Sequence, residues 1–441
     1  MRKFLIALAL LVVIGGGFAF WLTRPDEARL AVEAVMGRQP QITSARRQTF
    51  PTIGVADVAR WQANEAPTPA AGLAVARFAD GLDHPRQLYR LPNGDVLVAE
   101  SNKPAGQGGG GIAGWVQNKL MNRAGAGVTS ANRITLLRDA DGDGRAEARS
   151  VLVAGLDSPF GMAVLGPWLY VGNHDELVRF PFEVGQTRIA AKPERILALP
   201  GGNHWTRNLL VAPEGKHLYV AVGSATNIAD KGIEAEKNRA NILEVDPEAR
   251  TFRIYAAGLR NPVGMAYEPN SGRLWTVVNE RDMLGSDLPP DYLTSVNLGD
   301  FYGWPWFYWG GYIDTRVEPQ RPDLREYSRR PDYALGAHTA SLGLSFAGDA
   351  KLGGRFANGA FIGQHGSWNR EPPSGYKVIF VPFLADGFPQ RGAKPIDVLT
   401  GFLGPDGKAR GRPVGVATDA KGALLVADDV GNVIWRVTPR G

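Results

Sequence analysis

One phrase recurs along this chain and constrains its fold more than any bulk property. "DGLDHPRQLYRLPNGDVLVAE" (80–100), "AGLDSPFGMAVLGPWLYVGN" (154–173), "AGLRNPVGMAYEPNSGRLWTVVNE" (257–280) and "GRPVGVATDAKGALLVADDV" (411–430) share one plan. A Gly or Pro turn enters a short strand, a hairpin turn follows, and an apolar strand comes next. Looser copies sit at "HWTRNLLVAPEGKHLYVAVGS" (204–224) and "ASLGLSFAGDAKLGGRFANGAFIGQHGS" (340–367). Six copies give one unit about every 60 residues, the spacing of a propeller blade with its loops. The 55 glycines and 31 prolines supply the turns such a fold needs. A single blade cannot bury both faces of its sheet, so blades must stack radially. The expectation is an all-β, six-bladed β-propeller over residues 74–441; repetition of one phrase argues against a pair of sandwiches.

The remaining chain divides at its N-terminus. Arg2 and Lys3 precede "FLIALALLVVIGGGFAFWL" (4–22), a run about as long as a bilayer is thick. Two leading positive charges hold that end in the cytoplasm and send the rest outward. Residues 1–24 are therefore expected to be a signal anchor, or a signal peptide if cleaved. This places the protein at the periplasmic face of the inner membrane, or in the periplasm. Residues 25–73, punctuated by Pro and Ala, read as a tether and lead-in. The net charge of +5 is spread without a Lys/Arg cluster, so no nucleic-acid partner is expected. No cysteine is present, which excludes disulfides, Cys-ligated zinc, iron–sulfur clusters and c-type haem.

Ligands of propellers bind where loops from every blade converge, so residues at one phase of the repeat should meet. His204, in "GGNHWTRN", stands just before a blade's strand, as do the "LDHPRQ", "LDSPFG", "LRNPVG" and "GRPVG" segments of other repeats. "GLRNP" inserts Arg260 and Asn261, and a planar guanidinium suits a carboxylate or an electron-rich carbonyl. An Arg bridging two blades is the plainer alternative. His338, His365, Arg370, Lys377 and Arg412 are further cations that could converge on an anion. "NERDMLGSDLPPD" gathers Asn279, Glu280, Asp282, Asp287 and Asp291, hard oxygen donors suited to calcium or simply a solvated acidic loop. Asp139, Asp141 and Asp143 have the D-x-D-x-D-G spacing of a small calcium loop. Position twelve is Ser150, so no EF-hand is supported, and a plain acidic turn is the alternative. The aromatic run "GDFYGWPWFYWGGY" (299–312) could wall a channel, stack on a flat ligand, or fill the space between blades. "GQGGGG" (106–111) lacks the context of a nucleotide loop, and the stretch after it could form an amphipathic helix at the membrane or the channel mouth.

The motifs "GGNHWTRNLLVAPEGKHLYVAVGS", "GLRNPVGMAYEPNSGRLW", "NERD", "LPPDYL", "YGWPW" and "FIGQHGSWNR" with "GYKV" resemble those of the pyrroloquinoline quinone (PQQ) sugar dehydrogenases. Within them the chain is similar to the sorbosone dehydrogenase-like branch, related to soluble glucose and aldose sugar dehydrogenases. The resemblance spans roughly residues 74–439. It implies PQQ and calcium as cofactors, a sugar substrate, and a separate electron acceptor, a quinone or a cytochrome. It assigns His204 as general base, with an imidazole near pKa ~6.5 poised for that role. Arg260 would stabilise charge on the quinone oxygen and Asn261 would bond the same edge. By the same likeness His338, Arg370, Lys377 and Arg412 would contact the cofactor, and residues 279–282 (Asn279, Glu280, Arg281, Asp282) would hold calcium, partly through backbone oxygens. No glutamine matching that of the glucose-oxidising branch occurs around "AGLDSPFG", so the substrate is not carried over. A calcium-dependent lactonase and a non-catalytic binding propeller are the competing readings.

Overall fold

Six antiparallel four-stranded sheets stand in a ring in the computed structural model, which describes residues 13–17, 26–49, 51–104 and 119–441. From the axis outward, blade 1 comprises Pro85–Arg90, Val96–Glu100, Arg133–Arg138 and Ala148–Ala154. Blade 2 is Met162–Leu165, Trp168–Gly172, Glu176–Pro181 and Glu194–Ala198; blade 3 is Leu209–Val211, Leu218–Val222, Asn241–Asp246 and Thr251–Ala257. Blade 4 is Pro262–Tyr267, Leu274–Val278, Pro290–Val296 and Tyr333–Ala337; blade 5 is Ser341–Phe346, Gly359–Gln364, Lys377–Pro382 and Ile396–Thr400. Blade 6 takes Pro413–Thr418, Leu424–Asp428 and Val433–Pro439 from the end of the chain and its outermost strand, Leu73–Ala79, from near the start. The expected six-bladed propeller is the fold, and each repeated phrase is the inner strand pair of one blade.

Burial explains why these segments read as they do. The second strand of a blade is covered on both faces, so "VLVAE", "LYVAV", "LWTVV" and "LLVAD" are buried throughout and apolar apart from Glu100, Thr276 and Asp428. Outer strands such as Thr251–Ala257 face solvent and carry polar residues. Six apolar clusters fill the six clefts between neighbouring blades; that between blades 1 and 2, for example, joins Leu97, Ile134 and Leu152 to Met162, Leu169 and Phe180. The glycine of the repeated phrase lets the inner strands approach. A Cβ on Gly264 would press on the backbone of Leu344, and one on Gly343 would overlap the carbonyl of Val414.

Because the strands alternate in direction, two loops of each blade share one end of the ring: the loop entering the inner strand and the loop between the second and third strands. That end is the mouth. Its floor is apolar, built from Phe160, Trp205, Val263, Leu342 and Val414, contributed by blades 2 to 6. From blade 1, Arg86 lies over Phe160 and Trp205, 6.0 and 5.5 Å from the ring centroids.

The lead-in is not a free tether. Met36–Gly37 adds a strand to blade 4 and Thr68–Pro69 adds one to blade 5. On both sides of Met36–Gly37 the lead-in runs along the mouth rim. The Ser286 amide donates to the Asp26 carboxylate (2.7 Å), and the Gly54 amide donates to the Trp368 carbonyl (2.8 Å). Further on, Trp61 Nε1 donates to Asp428 Oδ2 (2.7 Å). The sequence of this segment, mixed and Pro-rich, shows no period because its partners are loops rather than a sheet face. Most of the expected anchor lies outside the described residues; among those described, no helix is long and apolar enough to cross a membrane.

Candidate active site at the propeller mouth

His204 occupies the loop entering blade 3 with φ 48°, in the left-handed region. The same conformation recurs at the entering loops of blades 1, 2 and 5, at His84, Ser158 and His338. Such backbone is costly for residues other than glycine and needs support from its surroundings. At His204 the support is Arg207, fully buried, whose guanidinium donates to the carbonyls of His204 (2.6 Å), Thr206 (2.8 Å) and Pro200. Burial pushes the Arg207 pKa down to about 9, with Arg239 adding to the effect.

The imidazole is oriented by its other side. Nδ1 lies 2.8 Å from the Ser224 carbonyl and 3.0 Å from Ser224 Oγ, and that hydroxyl donates to the Thr226 carbonyl (2.6 Å). The Nδ1 hydrogen therefore points at Ser224, which leaves the Nε2 lone pair for a ligand. The expected pKa near 6.5 is overturned. Burial, then the charges of Arg260, Arg207 and Arg239, lower it to about 3, so the ring is neutral at any physiological pH. An anion bound among those arginines would offset their charge and raise it.

Gly223 separates His204 from Asn261, and a Cβ there would overlap both Asn261 Oδ1 and His204 Cβ. Asn261 Oδ1 is buried and accepts no hydrogen bond from the protein. Arg260 ties two loops together: it donates to Asn227 Oδ1 (2.9 Å), the Asn227 carbonyl (3.2 Å) and the Glu280 carbonyl (2.7 Å), and stands 3.6 Å from Asp282. Arg412, entering blade 6, stacks 4.8 Å from the centroid of Tyr376 and donates to its hydroxyl (2.9 Å), with its Nε buried and unpartnered.

Other expected site residues are employed elsewhere. Lys377 pairs with Asp397 (2.8 Å) and lines a groove beside Glu33 and Arg355, away from the mouth. Arg370 donates to the carbonyls of Ser286, Pro372 and Leu30, fastening the lead-in. His338 turns into the blade 4 loop, with Nε2 3.0 Å from the Gly285 carbonyl. Arg281 is fully buried, bonded to Glu280 (2.9 Å), Asp314 (3.3 Å) and the Pro305 carbonyl (2.6 Å). It anchors the aromatic run. Tyr302, Tyr308 and Trp309 of that run fill the cleft between blades 3 and 4, and Trp304 reaches the rim, where its Nε1 donates to the Asn227 carbonyl (3.0 Å).

The loop at 279–282 does not offer calcium the oxygens expected of it. The carbonyls of Asn279 and Glu280 face the Arg260 guanidinium, Glu280 pairs with Arg281, and Asp282 Oδ1 accepts from Asn369 (2.5 Å). Asp287 accepts from the lead-in amides of Arg29 (2.9 Å) and Leu30 (3.3 Å). By contrast Asp139, Asp141 and Asp143 do converge, joined by Glu147, at the end of blade 1 away from the mouth.

Sequence reasoning missed a second cluster at the mouth. Asp429 is buried beneath His84 (3.3 Å), His365 (2.9 Å) and Arg86. These groups hold its carboxyl far below the usual range, while burial lowers His84 to about 4 and lowers His365 as well. His84 and Arg86 sit in "LDHPRQ", at the phase of "LRNPVG", and that shared phase was the available signal.

Comparison with known proteins adds a family. A model of the TrAA12-like family matches residues 67–288 and 321–440, more than three quarters of the chain, omitting the whole aromatic run. The chain belongs to the TrAA12-like family. An uncharacterized protein of Borreliella burgdorferi is 31% identical over 243 residues, 54% of this chain and 62% of that one. A pyrroloquinoline quinone-dependent pyranose dehydrogenase of Coprinopsis cinerea is 27% identical over 224 residues, 41% of this chain and 30% of that one. The chain thus aligns with less than two thirds of either relative's length. Among solved structures, a Trichoderma reesei protein of carbohydrate-active enzyme family AA12 superposes with a TM-score of 0.69 at 20% identity, covering 87% of this chain and all of that one. The PQQ domain of the Coprinopsis pyranose dehydrogenase gives 0.67 at 21% identity, again over 87% of this chain and all of that one. These likenesses show that the TrAA12-like ring is shared.

Proposed function

We propose that this TrAA12-like chain is a quinoprotein that oxidises an aldose or related sugar, with PQQ held over the propeller mouth. The observation that carries the reading is His204: a neutral imidazole with its Nδ1 hydrogen fixed on Ser224 and its Nε2 open, flanked by arginines and an orphaned amide oxygen. A flat, polyanionic group fits this setting. The apolar floor offers a face for a ring system, the Nε donors of Arg86 and Arg412 are buried without a partner, and Asn261 Oδ1 is a free acceptor for an N–H or O–H of the ligand. Arg260, Asn261, Arg86 and Arg412 would hold it. When bound, PQQ supplies a two-electron acceptor able to receive hydride.

The protein's own share is the proton and the positioning. His204 Nε2 accepts the proton of the sugar's C1 hydroxyl as hydride leaves the same carbon, so the hydroxyl-bearing carbon becomes a carbonyl. Arg207 and Ser224 keep the ring in that tautomer throughout. Arg260, locked between blades 3 and 4, keeps a positive charge beside the reacting centre without having to reorganise. A mouth lined by arginine and histidine rather than by a carboxylate cluster favours this chemistry over a metal-dependent lactonase.

Calcium is given no step in this scheme; the oxygens of Asp139, Asp141, Asp143 and Glu147, of which Asp139 Oδ2 also accepts from Lys421 (3.2 Å), are the place where we propose a structural calcium ion. Electrons leave to a separate acceptor. We also propose that residues 4–22 anchor the chain at the periplasmic face of the membrane.

Titration of the purified protein with PQQ, with and without calcium, followed by an aldose panel and an artificial electron acceptor, tests the reading. Saturable micromolar PQQ binding and sugar-dependent acceptor reduction are expected. Absence of PQQ binding would overturn it.

A further inference from the structure

We infer that the mouth of the propeller faces the lipid surface. The inference rests on residues 4–22 being a membrane anchor, and it adds an orientation that the proposed chemistry does not require.

The first argument is reach. Only residues 23–25 separate the apolar run from Asp26. Four Cα steps of at most ~3.8 Å put Asp26 within about 15 Å of the end of the run. Asp26 is fixed at the mouth: the Ser286 amide donates to it (2.7 Å), Arg46 pairs with it (2.7 Å), and Arg46 also reaches Asp287 (3.1 Å). The Ala28 amide donates to the Glu371 carbonyl (2.7 Å), in the mouth-end loop of blade 5. The opposite end of the ring lies a strand length further, about 20 Å for six residues, before its own loops are counted. A chain this short cannot pass from that end to the anchor. The mouth rim is therefore the end of the ring nearest the anchor.

The second argument is what the rim carries. Ile53 and Val128 are 45% and 40% exposed there, and Arg29, Arg47 and Arg60 of the rim segment are exposed as well. Apolar side chains with interspersed cations suit a surface of anionic headgroups. The third observation is the short helical stretch at 13–17. Its Val13 and Ile14 are 70% and 65% exposed, and a Cβ added at any of its three glycines would meet no described atom within 4 Å.

The native chain has no cysteine, which allows a direct test. Full-length Ile53→Cys (rim) and Lys216→Cys (the exposed hairpin of blade 3 at the far end) are labelled with a fluorophore. Each is reconstituted into phosphatidylethanolamine–phosphatidylglycerol vesicles carrying a headgroup nitroxide lipid. The expected result is loss of most emission from the label at position 53 and little loss at 216. The reverse pattern, or equal quenching at both in protein that floats with the vesicles, overturns the orientation while the anchor stands. Protein that fails to float overturns the anchor and the orientation together. Because neither readout needs PQQ, a failed cofactor titration is a separate result.

Discussion

The two sides of the mouth hold histidines in opposite ways. On the side of blades 3 and 4, His204 has only a backbone carbonyl and a hydroxyl for its Nδ1, and its charged neighbours are arginines. On the side of blades 5, 6 and 1, His84, His365 and Arg86 close around one buried carboxylate, Asp429. The first arrangement is electrostatically incomplete and leaves Asn261 Oδ1 unbonded. The second largely satisfies itself. Arg260 on the first side and the unpartnered Nε donors of Arg86 and Arg412 on the second mark where an anionic ligand fits, while the Asp429 cluster ties blades 5, 6 and 1 together around it.

The comparison breaks most visibly on the incomplete side. His204→Ala should still bind PQQ and lose about 10²–10⁴-fold in kcat, since that is the usual worth of a positioned base; unchanged turnover in stopped-flow reduction would remove its role. On the saturated side Asp429→Ala should cost folding stability, about 3–5 kcal/mol by denaturant melts, because it strands buried partners. A small loss would show that the cluster is not a structural knot. Gly223→Ala drives a methyl between His204 and Asn261 and should cost about 1–3 kcal/mol, with PQQ affinity falling alongside. Asn261→Ala should barely move the melting temperature, as its oxygen has no partner to lose, yet should weaken PQQ in the same titration.

Titration sharpens the contrast further. The folded pKa of His204, about 3, lies below the unfolded value of 6.5. The folded state therefore binds fewer protons than the unfolded state between these values, and its stability falls as pH drops through that window. His204→Gln should gain stability relative to the parent between pH 6.5 and 4. The ¹⁵N spectrum of the six histidines should show the His204 ring neutral down to about pH 4 without ligand.

The blade count was legible because each inner strand pair must satisfy the same demands: an entering turn, in four blades a glycine at the axis (Gly161, Gly264, Gly343 and Gly415), and a strand covered on both faces. His204, Arg260 and Asn261 were legible for the same reason, since a shared phase means a shared place. What escaped was set by packing between distant segments. His84 and Asp429 are 345 positions apart in sequence, and no local pattern announces their contact. Lys377 opens a strand paired with Asp397's strand, and strand alternation sends its side chain outward. Arg281 and Arg370 looked like ligand contacts because a sequence shows the charge but not the carbonyls around it. The pKa of His204 was misjudged likewise: Arg239 and Arg260 reach it from loops that only the closed ring brings together.

Ring closure has a consequence for how the chain is made. Leu73–Ala79 is synthesised early, yet its partner is Val433–Pro439, the last strand to emerge. Five blades can assemble from neighbouring sequence while the sixth waits with an open edge, and open edges invite pairing with other chains. Closure thus couples the two ends of the propeller sequence: loss of either strand would leave blade 6 with an unpaired edge.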